Sequence, residues 1–492
     1  MLQFDEVHVI SDLHLGGEKG FQIFGSTAEL VAFIDHLATA EAKKEIALVI
    51  NGDFVDFLAE SPAAYFDPAH GEDKLTRVMA DDTFAPIFKG LQKFLRAKQR
   101  TLVVNLGNHD LELALPWVRE HLIRSLCGGD MAARGRLRVL VDGTGVLCRV
   151  GGAKVLCLHG NEVDSWNVVD FEQIRRIGRD VYFQNSVEPW IPNAGTQMVI
   201  QVMNEVKRRY PFVDLLKPEA EGVVPTLLAL DPSAITKLKG AAVVAGRRAW
   251  DAARMATGFL GDAQVAPGDN SNISSTRVPA AATFTASLSS MSAKNASKVQ
   301  AEQLMTFVEE QARHGTDPMD LVRGDQSKQL GFWSATWNLV TGKPTHEVLR
   351  EALENLDRDR SFDIATDDDT SRWLDDLVGA DVDFLVAGHT HLERALQRRK
   401  GQGFYFNSGT WARLIRITPE VRADPTKFEK VFNILKGGEM GALDDEPGLV
   451  TKRCSIVSIF VDNQGRACGE LRRMQAGAGV PETVPESLRV KK

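Results

Sequence analysis

Short apolar runs recur along this chain of 492 residues, and five of them end in a compact cluster of Asp, Asn, Gly and His. Val7–Ser11 leads into Asp12-Leu13-His14, and Ile46–Ile50 into Asn51-Gly52-Asp53, with Asp56 just beyond. Leu102–Val104 leads through Leu106 into Gly107-Asn108-His109-Asp110. Lys154–Leu158 ends in His159-Gly160, and Val382–Val386 in Gly388-His389-Thr390-His391. Between the first runs lie apolar residues at helical spacing: Leu30, Phe33, Ile34 and Leu37, then Phe84, Ile87, Phe88, Leu91 and Leu95. Buried-looking strands alternating with amphipathic helices predict an α/β fold with its site at the carboxyl ends of the strands.

Further strands are expected at Arg138–Val141, Val146–Val150, Phe404–Asn407, Cys454–Val461 and Ala467–Leu471, several joined by Gly-rich turns. From about Trp166 to Leu374 the pattern is mostly helical, interrupted by a stretch rich in Ser and Ala at 261–300 that reads as a flexible linker. The expected organisation is one core assembled from both ends of the chain, 1–165 and 376–475, around a mainly helical insertion at 166–375. Long insertions at loops are thermodynamically tolerable, because closure entropy grows slowly with length. The Gly-, Pro- and Glu-rich tail, 476–492, is expected to be disordered.

Hydrophobic residues at 43% supply a large core, which excludes a disordered or fibrous chain. No run reaches the roughly 18 apolar residues of a spanning helix, and the opening MLQFDEVHVISD has neither the basic nor the apolar region of a secretory leader. Five scattered cysteines without a C-x-x-C pair suit reduced thiols, so a cytoplasmic location is expected. A net charge of −8 provides no global field for nucleic acid.

Five of the eleven histidines fall in the five clusters, which concentrates the chemistry there. In D-x-H and H-x-H the paired side chains are one residue apart, and at a strand end both reach toward a common point. Asp, Asn and His offer mixed oxygen and nitrogen ligands without thiolate, a set suited to Mn, Fe, Zn or Ni. Asp12, His14, Asp53, Asn108, His159, His389 and His391 are too many ligands for one catalytic metal and fit two that share a carboxylate. Two such ions acidify a bridging water to hydroxide and clamp the oxygens of a phosphate ester, and a histidine held by a carboxylate protonates the leaving alkoxide. Gly342-Lys343-Pro344 lacks the remainder of a P-loop, no G-x-S-x-G elbow occurs, and Asp367-Asp368-Asp369 reads as a helix start.

The ordered set D-x-H, G-D-x-x-D, G-N-H-D, H-G and G-H-x-H resembles the calcineurin-like metallophosphoesterase superfamily, over about 5–165 and 380–472. The resemblance implies a four-layer α/β/β/α sandwich with a dinuclear centre, most suitably of Mn²⁺. One ion would rest on Asp12, His14, Asp53 and His391, and the second on Asp53, Asn108, His159 and His389. His109 would be the catalytic histidine and Asp56 its orienting carboxylate. The implied activity is hydrolysis of a phosphomonoester, phosphodiester or pyrophosphate in a phosphorylated small-molecule or nucleotide-type substrate. SDLHLGG and the closing Asn407–Trp411 are similar to the branch containing UDP-diacylglucosamine pyrophosphatases, which carries Arg where this chain has His109. SDLHLG with GNHD is also similar to double-strand-break repair nucleases. A non-catalytic scaffold is the remaining alternative, and it is disfavoured because every ligand position is filled. Lys207-Arg208-Arg209, Lys237, Lys239, Arg247, Arg248 and Arg254 suit an anionic membrane surface or a nucleic-acid backbone, but a packed helix with solvated cations is the preferred reading.

Overall fold

The computed structural model describes residues 1–64, 66–164, 167–187, 190, 209, 210, 212, 215, 216, 230, 345–352 and 362–491. The first half contains β1 (Leu2–Phe4), β2 (Glu6–Ile10), α1 (Thr27–Thr39), β3 (Ile46–Asn51), α2 (Gly71–Ala80), α3 (Ala85–Arg96), β4 (Arg100–Asn105) and α4 (Pro116–Cys127). There follow α5 (Met131–Gly135), β5 (Leu137–Leu140), β6 (Val146–Val150), β7 (Ala153–Cys157) and α6 (Phe171–Tyr182). The later described elements are α7 (Thr345–Ala352), α8 (Asp369–Leu377), β8 (Phe384–Ala387), β9 (Glu393–Gln397), β10 (Phe404–Ser408) and β11 (Leu414–Ile415). Last come α9 (Pro419–Ala423), α10 (Pro425–Gly437), α11 (Met440–Asp445), β12 (Val450–Thr451), β13 (Ser455–Val461), β14 (Ala467–Arg473), β15 (Glu482–Thr483) and β16 (Arg489–Val490).

Two large sheets result, both mixing parallel and antiparallel pairs. One runs β15-β14-β13-β2-β3-β4-β5, with β16 also on β14; the other runs β1-β6-β7-β8-β10-β9. β2 to β5 are parallel neighbours, in register from Glu6↔Ile46 and Ile46↔Arg100. β3, IALVIN, is buried along its whole length, as a parallel strand covered on both faces must be. Its alternation divides it between two cores. Ile46, Leu48 and Ile50 join Leu30, Phe33, Ile34 and Leu37 of α1 and Ile87, Leu91 and Leu95 of α3. Ala47 and Val49 face the second sheet, meeting Val155, Cys157, Phe384, Val386 and Phe406. On the far face of that sheet, Leu385, Ala387 and Tyr405 pack with Leu374 and Val378 at α8. Each fully buried Val, Leu, Ile or Phe contributes about 1.5–3 kcal/mol, so these strands have little freedom to slip.

α8 begins where the acidic run predicted: Asp368 accepts from Ser371 N at 2.8 Å in a reciprocal capping box. The five cysteines are unpaired and buried. The tail differs from expectation. In place of disorder at 476–492, β15 pairs with Arg472 and Arg473 and β16 with Cys468 and Gly469, while Val484 enters the core between the sheets. β14 would otherwise offer unsatisfied edge amides and carbonyls, and the tail supplies their partners. Composition could not reveal that edge.

Most of the expected insertion, including the linker at 261–300 and every residue of the basic cluster except Arg209, lies outside the described residues. Of its described parts, α6 packs Ile174 and Ile177 on the α1/α3 core. Tyr210, Phe212, Leu215, Leu216, Leu230 and Leu349 form a separate core with Phe428, Val431, Phe432 and Leu435 of α10.

Candidate metal centre

Five strands, β2, β3 and β4 from one sheet and β7 and β8 from the other, send their carboxyl ends to one place. There the backbone turns sharply. Asp12 (φ +54°), His14 (+47°), Asp53 (+54°), His389 (+69°) and His391 (+62°) all adopt the left-handed conformation, which costs a non-glycine residue of the order of 1–2 kcal/mol. Neighbouring loops hold them there. Asp12 N donates to Gly52 O (3.1 Å), His14 N to Asp53 O (2.8 Å) and Gly388 N to His159 O (2.8 Å). The strain aims the side chains at a shared centre.

Glycine is required where these loops touch. A Cβ on Gly52 would lie 2.1 Å from His159 Nδ1, and one on Gly107 would lie 2.2 Å from Asp53 Oδ1. The Asn407–Trp411 segment buttresses the site from below. Asn407 Nδ2 donates to Gly388 O (2.7 Å) and Thr410 Oγ1 to Asp12 O (2.8 Å), while Trp411 Nε1 is anchored on Ser455 O (2.9 Å). Asn51 ties β3 to β7 by donating to Leu158 O (2.7 Å), and it accepts from Asn105 Nδ2 (3.1 Å).

Three groups of side chains come close enough to share a cation: Asp12, His14 and His391; His14, Asp56 and His109; and Asp53, His159 and His389. His391 Nε2 lies 3.4 Å from Asp12 Oδ1 and 3.2 Å from His14 Nε2. Asp53 Oδ2 stands between two histidines, 3.7 Å from His14 Nε2 and 3.3 Å from His159 Nε2. Asn108 is buried beside them, and its Oδ1 has no hydrogen-bond partner; nor does Nε2 of His159. His109 Nδ1 meets Asp56 Oδ1 at 3.1 Å, and the His109 and His14 rings are T-shaped at 4.8 Å. The seven expected ligands, with His109 and Asp56, therefore lie at this one end of the two sheets.

The electrostatics suit a cation. Burial opposes the charged form of Asp12, but the His391 and His159 imidazoles outweigh it and bring its carboxyl to about 2. Asp53, against the same burial penalty, is held well below the usual range by His159 and His109. Burial also opposes a charged His159, yet Asp53, with Asp12 and Glu162, raises it to about 10. Ionised, buried carboxylates thus face one imidazole, His159, that retains a proton; a divalent cation replaces that proton in the same field. Asn108 Oδ1 and His159 Nε2, two of the unsatisfied buried atoms among the described residues, are a carbonyl oxygen and an imidazole nitrogen, both good donors to Mn, Fe or Zn.

Sequence reasoning overlooked four supporting groups. Glu162 accepts from the amides of His159 (3.1 Å) and Gly160 (2.6 Å), and Asp164 Oδ2 lies 2.9 Å from His389 Nε2. Asp110 accepts from Phe54 N (2.9 Å) and Gly107 N (2.7 Å), and burial together with the Asp53 charge pushes its carboxyl up to about 7. Ser11 Oγ is hydrogen-bonded to Asp12 and to Ser408 Oγ. Glu162 and Asp164, two and four residues past the His-Gly pair, were readable as acids near a ligand, but their partners were not.

No curated protein matches the chain. A family model does: residues 6–214 match Calcineurin-like phosphoesterase, a span holding Asp12, His14, Asp53, Asn108, His109 and His159. His389 and His391 lie outside that match, and β8 carries them into the same centre. The match over 6–214 supports the calcineurin-like metallophosphoesterase superfamily for this part of the chain, and that family implies a metal-dependent phosphoester hydrolase.

Proposed function

We propose that the protein hydrolyses a phosphomonoester, phosphodiester or pyrophosphate at a centre of two divalent cations, Mn²⁺ being the preferred ion. The observation that carries this reading is the convergence of seven potential ligands from two sheets, with Asp53 between His14 and His159. Asp12, His14, Asp53 and His391 would hold one cation, and Asp53, Asn108, His159 and His389 the other. When bound, such a pair supplies a nucleophile at neutral pH and neutralises the charge that protects a phosphate ester.

The chain's own groups do the remainder. Asp56, whose carboxyl is held well below its usual range against burial by the adjacent His109, accepts from His109 Nδ1. The imidazole is thereby fixed in one orientation, and Nε2 is the atom that would protonate the departing oxygen. The helices on the outer faces of both sheets support the four-layer α/β/β/α arrangement. The 166–375 segment, which departs just after His159-Gly160 and returns just before Gly388-His389, is proposed to form the mainly helical insertion and to select a small phosphorylated or nucleotide-type substrate.

The test is turnover of bis-p-nitrophenyl phosphate and p-nitrophenyl phosphate by the full chain with added Mn²⁺, followed by monoesters, cyclic and linear diesters, nucleotide-sugar pyrophosphates and single-stranded DNA. Metal-stimulated turnover that disappears with a chelator is expected. No turnover of any member by metal-loaded protein would favour a scaffold instead.

A further inference from the structure

His159 and His389, assigned above to the same cation, are held by opposite nitrogens. His159 Nδ1 lies 2.8 Å from the carbonyl oxygen of Asn51. A carbonyl only accepts, so Nδ1 carries a hydrogen, and Nε2 is the nitrogen at which a cation would replace the second proton. His389 is reversed: its Nε2 lies 2.9 Å from Asp164 Oδ2. An ionised carboxylate also only accepts, so here Nε2 carries the hydrogen and Nδ1 is left to receive a cation. Asp164 is itself well placed for this. Its Oδ2 also accepts from Asn167 Nδ2 (2.7 Å), and its backbone carbonyl accepts from Asn167 N (3.0 Å) and Val168 N (2.7 Å). Asn161 Nδ2 closes the turn on Asn167 O (3.0 Å).

We infer that Asp164 is a positioning residue for the second cation: by accepting from His389 Nε2 it locks the imidazole in the tautomer that binds metal through Nδ1. This rests on the two-cation reading above. It also links the segment leaving β7 to the loop after β8, so that the start of the 166–375 segment is coupled to one ligand of the centre.

The test measures Mn²⁺ binding by calorimetry, with metal content by elemental analysis, in wild type, Asp164→Ala, Asp164→Asn, His389→Ala and the double variant Asp164→Ala/His389→Ala. Asp164→Ala should weaken the second site by about 10–100-fold. Asp164→Asn keeps an accepting oxygen and should lose less. In the His389→Ala background, Asp164→Ala should add no more than about twofold, because its effect passes through the imidazole. Nitrogen-15 spectra of metal-free protein should show His389 as the Nε2–H tautomer in wild type and Asp164→Asn. Should Asp164→Ala not fold, that spectrum and the Asp164→Asn titration decide the matter. An Nδ1–H tautomer in wild type, unchanged affinity in Asp164→Ala, or full additivity in the double variant overturns the inference while leaving the centre intact. A wild type that binds no Mn²⁺ overturns the two-cation reading as well.

Discussion

Asp56 Oδ1 lies 3.1 Å from His109 Nδ1, and the other oxygen of the same carboxylate lies 3.4 Å from His14 Nδ1. One acid therefore orients both a residue proposed to bind metal and the residue proposed to move a proton. That arrangement separates the two roles experimentally, because His109 can be removed while His14 keeps its partner.

His109→Ala should retain both metals and lose about 10²–10⁴-fold in rate, the worth of one acid catalyst. The loss should be greatest for alkyl esters and smaller for p-nitrophenyl esters, whose leaving group needs little protonation. Rates on both ester types, with metal content checked, decide it. Equal losses would argue for charge stabilisation, and lost metal would make His109 a ligand.

Asp53→Ala should abolish most metal binding and activity together, since Asp53 Oδ2 is within 3.7 Å of both His14 Nε2 and His159 Nε2. Elemental analysis is the readout. Two metals per chain retained in that variant would sink the sharing of this carboxylate.

Gly52→Ala tests the loop geometry without replacing a ligand. Gly52 has φ +90°, and an added Cβ would meet His159 at Nδ1 and Cγ, 2.1 and 2.4 Å away. His159 must then leave its bond to Asn51 O, and Mn²⁺ affinity should fall by at least about 10-fold, as for loss of other groups that orient ligands. Unchanged affinity would mean that His159 does not bind.

Glu112 predicts a pH dependence away from the centre. Burial pushes its carboxyl up to about 7, with the nearby Lys74 opposing the rise, and Oε1 accepts from Asp67 N at 3.0 Å. Below about 4.5 the group is neutral whether the chain is folded or not. Between about 4.5 and 7 the unfolded chain ionises first, so stability falls as pH rises through that window and levels off above it. The full difference is of the order of 3 kcal/mol. Urea unfolding of metal-free wild type and Glu112→Gln at pH 5 and pH 8 should show the variant gaining relative to wild type at the higher pH. A constant difference would mean that Glu112 stays ionised.

The strands that carry the site, their order along the chain and the identity of the clustered residues were legible because each is a local signal, whereas β1, β9 and the short strands β11, β12, β15 and β16 were not foreseen. The apolar runs at Ile46–Ile50 and Val146–Val150 are short, contain β-branched residues and have glycine close by, the marks of strands, and D-x-H or H-x-H sets two side chains toward one point by geometry alone. Asp12 and His391 are nearly four hundred residues apart and were joined only by resemblance, whereas the fold brings His391 Nε2 to 3.4 Å from Asp12 Oδ1. Such a contact depends on β8 entering a sheet beside β7, a long-range pairing with no local signature. The pairing of Asp164 with His389 and the docking of β15 and β16 on β14 were hidden for the same reason. Which groups this chain has for chemistry was thus written in short segments. Which nitrogen of each histidine is held, and by what, was decided only in the folded structure, because a hydrogen bond needs its partner within about 3 Å and chain order does not set that distance.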